Sequence, residues 1–391
     1  MTVPLTLDHN RIVIDVDLLL PNGSTQRIAA WVDNGNPDLY MSRRIATLLG
    51  LNVSCAEQAC TALPPQEIFI GGMKIPLATA PAVVKEAKIP QQPGGTAWGI
   101  GPGLSAEINL PAAVLRNYDV LIDFPESKFT IAQPGRLKFN GVEAKAIVNP
   151  TNGLIQIPSQ IEKQKYNLAL DLGSCISFLS EELFEKLAAA HADWPHMTGA
   201  IGSANMWGMD TETKWKLVRV ARVQFGPLFL TDVAVTESPK DRTVLFEKPA
   251  GAPTAGLIGS QALLNYRVGF DYARSTVYFD IGRLFSFPDF DVIGLILRPE
   301  DDGRYTILSI ADYDGKPSVA GIQTGDHLVA VDGIPVPGST MGQVWRMLGG
   351  TPCQERKLTI ERAGKQVVVT ATVQHFLAEA DDRARGKARQ Q

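Results

Sequence analysis

A mainly β chain, built as two similar lobes followed by a smaller α+β module, is the architecture this sequence predicts. Three observations predict it. An apolar strand running into an Asp-x-Gly turn occurs twice, at 33–35 and at 171–173. The elements after each turn recur in the same order, which is the mark of a duplicated unit. Beyond residue 292 the pattern changes to a strand next to a glycine, a Gly-Asp turn and one amphipathic helix.

In chain order, residues 12–20 (IVIDVDLLL) predict a strand, Pro-Asn-Gly-Ser at 21–24 a turn, and 27–33 a second strand. Short helices are expected at 42–49, 180–190 and 341–348. Ser180 before Glu181 and Glu182 has the form of a capped helix start. The repeat pairs WVDNGNPDLYMSRRIATLLGL at 31–51 with LALDLGSCISFLSEELFEKLA at 168–188. A hairpin at 68–84 matches one at 223–235, Ala97–Gly101 matches Ala255–Gly259, and 118–131 matches 266–279. The resulting organisation is a first lobe at 1–136, a second at 137–286, a third module at 287–378 and a charged tail at 379–391 with no apolar period, expected to be disordered.

Composition narrows the function classes. The 391 residues are 45% hydrophobic and 20% charged, which argues for globular domains. A net charge of −4 gives no basic field for nucleic acid. No run of apolar residues is long enough to span a bilayer, and the first residues do not read as a signal peptide. Cys55 and Cys60 are close enough for a local disulfide or stand as two thiols in a loop. Cys175 reads as a small core residue, and the five histidines show no metal or triad spacing.

Two Asp-x-Gly turns on similar lobes point to one chemistry. Hydrolysis of a peptide bond needs one group to deprotonate water and another to protonate the carbonyl oxygen. Two carboxylates held at about 3 Å cannot both ionise, so they share a proton and supply base and acid together. A pseudo-twofold between the lobes would bring Asp33 and Asp171 face to face, with Gly35 and Gly173 permitting the tight turns.

On these residues the chain resembles the pepsin/retropepsin clan of aspartic proteases. Asp33-Asn34-Gly35-Asn36 and Asp171-Leu172-Gly173-Ser174 stand where the clan has Asp-Thr-Gly-Ser/Ala. Ile100-Gly101 and Leu257-Ile258-Gly259 resemble the apolar-Gly element beside each catalytic strand. The resemblance covers about 1–286 and implies a bilobal double β-barrel, monomeric because both lobes are in one chain, with no metal or organic cofactor. It implies Asp33 and Asp171 as catalytic and Asn34, Gly35, Asn36, Gly173 and Ser174 as their supports. Both turns depart from the pattern by lacking the central hydroxyl residue: Asn34 can still donate through its amide, Leu172 cannot. A non-catalytic, peptide-binding descendant is therefore the alternative. Trp98 and Trp207 are the candidates to cover the cleft.

Residues 292–374 resemble a PDZ domain, carried by Gly321-Ile322-Gln323-Thr324-Gly325-Asp326 and Val331-Asp332-Gly333-Ile334. The resemblance implies that Ile293, Gly294, Leu295 and Ile296 form the carboxylate-binding loop and its following strand, and that a peptide pairs with strand 294–298 and lies against Val344 and Leu348 of the helix. Free amides around Gly294 and Leu295 would hold a terminal carboxylate. Its partners would be protein or peptide substrates and a peptide ligand, and its setting periplasmic or secreted, otherwise cytoplasmic.

Overall fold

A computed structural model of the chain describes residues 1–56, 60–90, 100–238, 253–282, 289–313 and 315–378. Trp98 and the tail 379–391 lie outside these residues.

The chain is mainly β, with barrel-like sheets arranged as two lobes. In the first lobe the strand Arg11–Leu19 turns at Asn22–Ser24 and returns as Thr25–Asp33, antiparallel with Ile14 opposite Ala30. Alternate residues Ile12, Ile14, Val16 and Leu18 are buried, as the period of two in a sheet requires. In the second lobe Ile155–Ile161 pairs with Gln164–Asp171 in the same antiparallel manner. The three expected helices form at Arg43–Leu48, Glu181–Ala190 and Met341–Leu348. Ser42 and Ser180 cap the first two through their hydroxyls.

The last members of the repeat pair with one another. Asp119–Asp123 runs antiparallel to Tyr266–Asp271, with Leu121 opposite Gly269. Around this pair forms a six-stranded sheet shared by both lobes, which also takes in the amino-terminal strand Thr2–Pro4 and Val142–Lys145. A single apolar core crosses it, from Ile12 and Ile14 through Val120 and Phe129 to Ile157, Val268 and Phe279.

The carboxy-terminal module holds the strands Leu295–Pro299, Tyr305–Ile310, His327–Val331, Glu355–Arg362 and Lys365–Thr372 in one sheet, with Leu295–Pro299 at its edge. Its own core gathers Ile293, Leu295, Ile307, Leu328, Val344, Leu348 and Ile360. A separate cluster joins Phe290, Val292, Ile296, Ala311 and Phe376 of this part of the chain to Cys175, Phe178, Met206 and Trp215 of the second lobe. The module is therefore packed onto the second lobe through apolar side chains.

It is also held to the amino-terminal region. Asp8 accepts hydrogen bonds from the Thr340 hydroxyl at 2.7 Å and the Gly342 N–H at 3.2 Å, at the start of the helix Met341–Leu348. A carboxylate suits the positive end of a helix. Gly342 is required there, since a Cβ would overlap Asp8 and the His9 backbone. His9 is buried and contacts the Gly202 carbonyl oxygen at 2.7 Å. Burial, reinforced by Arg11, lowers its pKa to about 4, so the neutral ring donates from Nε2.

Candidate active site

Each aspartate ends a strand flanked by a parallel neighbour. Asp171 closes Gln164–Asp171 and lies opposite Gly259 of Gly256–Gly259, as the Leu257-Ile258-Gly259 motif predicts. Asp33 closes Thr25–Asp33, but its parallel neighbour is Ile108–Pro111, with Pro111 opposite Asp33. This corrects the assignment of Ile100-Gly101 to that place. The signal was present, because Ile108–Pro111 runs into the short helix Ala112–Leu115, just as Gly256–Gly259 runs into Ser260–Leu263. Pro111 stands where the second lobe has glycine, which hid the match.

The two turns fit each other reciprocally. A methyl group on Gly35 would overlap the Asp171 carboxylate, and one on Gly173 would overlap the Asp33 carboxylate. Each glycine is thus the floor on which the opposite carboxylate rests. Asp33 and Asp171 are both buried.

Asn34 binds the second turn with both ends of its amide. Its Nδ2 donates to the Leu170 carbonyl oxygen at 2.8 Å, and its Oδ1 accepts from the Leu172 N–H at 2.8 Å. One asparagine supplies the donor and acceptor that a hydroxyl would give, whereas the aliphatic Leu172 offers nothing in return. The clasp is one-sided.

Ser174 orients Asp171 through its backbone, with its N–H 3.0 Å from Asp171 Oδ1. Its hydroxyl turns away and donates to the Ile176 carbonyl oxygen at 2.8 Å. Asn36 is used within its own turn: its Oδ1 accepts from the Asp38 N–H at 2.9 Å, and its carbonyl oxygen from the Ala112 N–H at 2.8 Å.

Two supports escaped the sequence. Buried Asn109 accepts from the Tyr40 N–H at 2.7 Å and donates to the Asp38 carbonyl oxygen at 3.0 Å, fixing the loop after Asp33. Ser260 approaches the Ser174 carbonyl oxygen with its hydroxyl at 2.9 Å and the Asn10 carbonyl oxygen at 2.7 Å. Asn109 is a single polar residue inside an apolar stretch and Ser260 closes one, and a buried polar side chain is kept where it has a backbone partner to satisfy.

Residues 206 and 207 pack against Ser174, Arg11 and Trp31. Met206 Sδ lies 3.9 Å from Ser174 Oγ, and the Met206 carbonyl oxygen accepts from the Arg11 guanidinium. The Trp207 ring meets Trp31 edge-on at 5.9 Å and lies 4.3 Å from the Arg11 guanidinium carbon. Glu212, fully buried, accepts from the Trp207 N–H at 2.8 Å, the Gly208 N–H at 3.0 Å and Asn205 Nδ2 at 2.7 Å.

Burial raises the Glu212 pKa from 4.5 to about 7, against the lowering effect of those hydrogen bonds. Between these two values the folded chain binds more protons at this carboxyl than the unfolded chain, so its contribution to stability falls as pH rises. Glu212→Gln removes that slope. The stability of the variant relative to wild type is expected to increase by roughly 3 kcal/mol from acid to neutral pH, read by urea unfolding at both ends. A pH-independent difference would show that Glu212 does not titrate in this window.

The six residues expected to line a peptide groove are placed as follows. Ile293, Leu295, Val344 and Leu348 are buried in the core of their own module, and Ile296 in the cluster shared with the second lobe. Gly294 lies close to Ser318 and Phe376. The Leu295 N–H donates to the Ile293 carbonyl oxygen at 2.8 Å and the Ile293 N–H to the Leu348 carbonyl oxygen at 2.9 Å. The chain turns back on itself here, which corrects the expectation of a free amide at Leu295.

Among the described residues no group of three or more His, Cys, Asp or Glu is gathered as a metal ligand set, and no helix is long and apolar enough to cross a membrane. Cys55 and Cys60, opposite each other on paired strands, form a disulfide. A cavity of about 830 Å³ between Lys165, Tyr166, Glu182 and Gln224 lies at the other end of the strand from Asp171 and is not part of this site.

No protein-family model matches the chain, and no curated protein matches it. Among solved structures, the aspartic proteinase from Irpex lacteus is similar over 72% of this chain and 97% of its own, at 9% identity and a TM-score of 0.40.

Proposed function

We propose that the chain is a single-chain aspartic endopeptidase, in which Asp33 and Asp171 share one proton and activate a water for attack on a peptide bond. The observation that carries this reading is the reciprocal seating of each carboxylate on the other turn's glycine. A structural Asp-x-Gly turn has no reason to meet a second one in this way. The ionised aspartate takes a proton from water while the protonated one donates to the carbonyl oxygen. Asn34 and the Ser174 N–H hold the frame, and no metal or organic cofactor takes part. The carboxy-terminal module, read as a PDZ domain, recognises extended peptide segments. An extracytoplasmic setting goes with this reading, and the Cys55–Cys60 disulfide supports it.

The test is cleavage of a reduced, unfolded protein from acid to neutral pH with and without pepstatin. Pepstatin-sensitive cleavage is expected, and no cleavage at any pH would overturn the proposal. The one-sided clasp favours a second reading, a peptide-binding protein of the same fold that does not cut. Under it, wild-type chain binds the unfolded substrate and leaves it intact.

A further inference from the structure

The strand Leu295–Pro299 is the edge of its sheet. An edge strand presents backbone groups that an additional strand can pair with. Here the N–H groups of alternate residues are not free to receive one. Pro299 has no N–H, and the Leu295 N–H is turned to Ile293. The Leu297 N–H donates to Asn205 Oδ1 at 2.8 Å, and the Leu297 carbonyl oxygen accepts from Asn205 Nδ2 at 3.0 Å. The Asn205 amide thus presents to Leu297 the same acceptor and donor that the backbone of a paired strand would present. The segment stays close to the edge beyond this point, since a Cβ on Gly208 would come within 2.7 Å of the Arg298 Cα and 3.0 Å of the Leu297 carbonyl oxygen.

The segment that occupies the edge also meets neighbours of both aspartates. Asn205 is followed by Met206, against Ser174, and by Trp207, against Trp31 of the strand that ends in Asp33. Glu212 fixes the stretch from behind by holding Asn205 Nδ2 and the N–H groups of Trp207 and Gly208. One short segment therefore faces the edge of the carboxy-terminal sheet on one side and, on the other, Ser174 of the second Asp-x-Gly turn and Trp31 of the strand that leads into the first.

We propose that the ligand of the Leu295–Pro299 edge is the chain's own residues 205–208, and that an extended peptide from another molecule reaches this edge only by displacing them, which moves Met206 away from Ser174 and Trp207 away from Trp31. The proposal rests on the reading of the carboxy-terminal module as a peptide-recognising one. It adds that this recognition is exercised in cis and is coupled to the aspartate pair. A peptide that competes for Leu297 is then an activator by geometry, since the groups it replaces are those that carry the cover.

The test compares full-length wild type with Asn205→Ala, using as probe a synthetic peptide of residues 201–209 (IGSANMWGM). Hydrogen exchange at the Leu297 amide is expected to be at least tenfold faster in the variant, with other core amides unchanged. Fluorescence anisotropy of the labelled peptide is expected to show binding to Asn205→Ala at least tenfold tighter than to wild type. Should Asn205→Ala not fold, the near-isosteric Asn205→Leu, which loses both the acceptor and the donor, is read in the same two ways. Unchanged Leu297 exchange in a folded variant overturns the proposal. Faster exchange without a gain in peptide affinity overturns it too, because the edge would then be a fixed interface and not a peptide site. Neither measurement uses proteolysis, so failure of the endopeptidase reading shows separately, as absence of cleavage with both results intact.

Discussion

Asp33→Asn and Asp171→Asn are each expected to lower kcat for cleavage of an unfolded protein by about a thousandfold or more. Asparagine keeps the volume that rests on the opposite glycine, so the turns keep their seats. What is lost is the ability to exchange a proton. With one amide in the pair, no arrangement leaves both a base for water and an acid for the carbonyl oxygen. Groups that act as a unit are non-additive, so the double variant is expected to be no less active than either single one. The measurement is kcat of all three variants beside wild type, with unfolding midpoints to show that the fold is retained. Variants as active as wild type would remove the aspartate pair from the mechanism.

Asn34→Ala carries the second large effect, on stability as well as rate. It strips the Leu172 N–H and the Leu170 carbonyl oxygen of their partner in a place closed to water, since Leu170, Leu172 and Asn34 are all buried. Each orphaned group costs about 1–3 kcal/mol, so the loss is expected to be roughly 2–5 kcal/mol. Because Leu172 gives no return contact, no second clasp shares the load. Asn34→Thr is expected to recover much of both stability and kcat, as one hydroxyl can accept from Leu172 and donate to Leu170. Urea unfolding and kcat for the two variants check this. An Asn34→Ala chain as stable as wild type would show that the clasp is dispensable.

The aspartate turns and their surroundings differ in how far they could be read from sequence. The duplication was legible because each half is a local pattern: a strand, a turn and a capped helix carry their signals within about twenty residues. Asp33, Asp171, Gly35 and Gly173 follow from that pattern. The strand beside Asp33 was misplaced because Pro111 interrupts the apolar-Gly spelling, while the parallel register that defines it is a tertiary fact. The donor role of Asn34 was legible from its chemistry, but its second contact was not, because the accepting half meets a backbone N–H from the other lobe. The contacts that the Ser174 hydroxyl and the Asn36 side-chain oxygen make were not legible. Each satisfies a nearby backbone group, the Ile176 carbonyl oxygen and the Asp38 N–H, as short polar side chains often do. Asn205 meeting Leu297 leaves no trace in either segment's pattern, since its amide looks like any loop asparagine until the edge strand is beside it.

The sheet shared by the lobes has a consequence for how the protein comes into being. Asp119–Asp123 pairs with the nearby Lys128–Ala132 on one side but meets Tyr266–Asp271 on the other, and Thr2–Pro4 closes on Lys128–Ala132. The last two are contacts of high sequence separation, which form late because loop closure precedes any gain from pairing. During synthesis Asp33 leaves the ribosome long before the strand that seats its partner's lobe. The first half of the aspartate pair waits as one side of an unfinished sheet. The sheet that joins the two lobes is then completed only after both aspartates have been made, so the pair gains its full support late in folding.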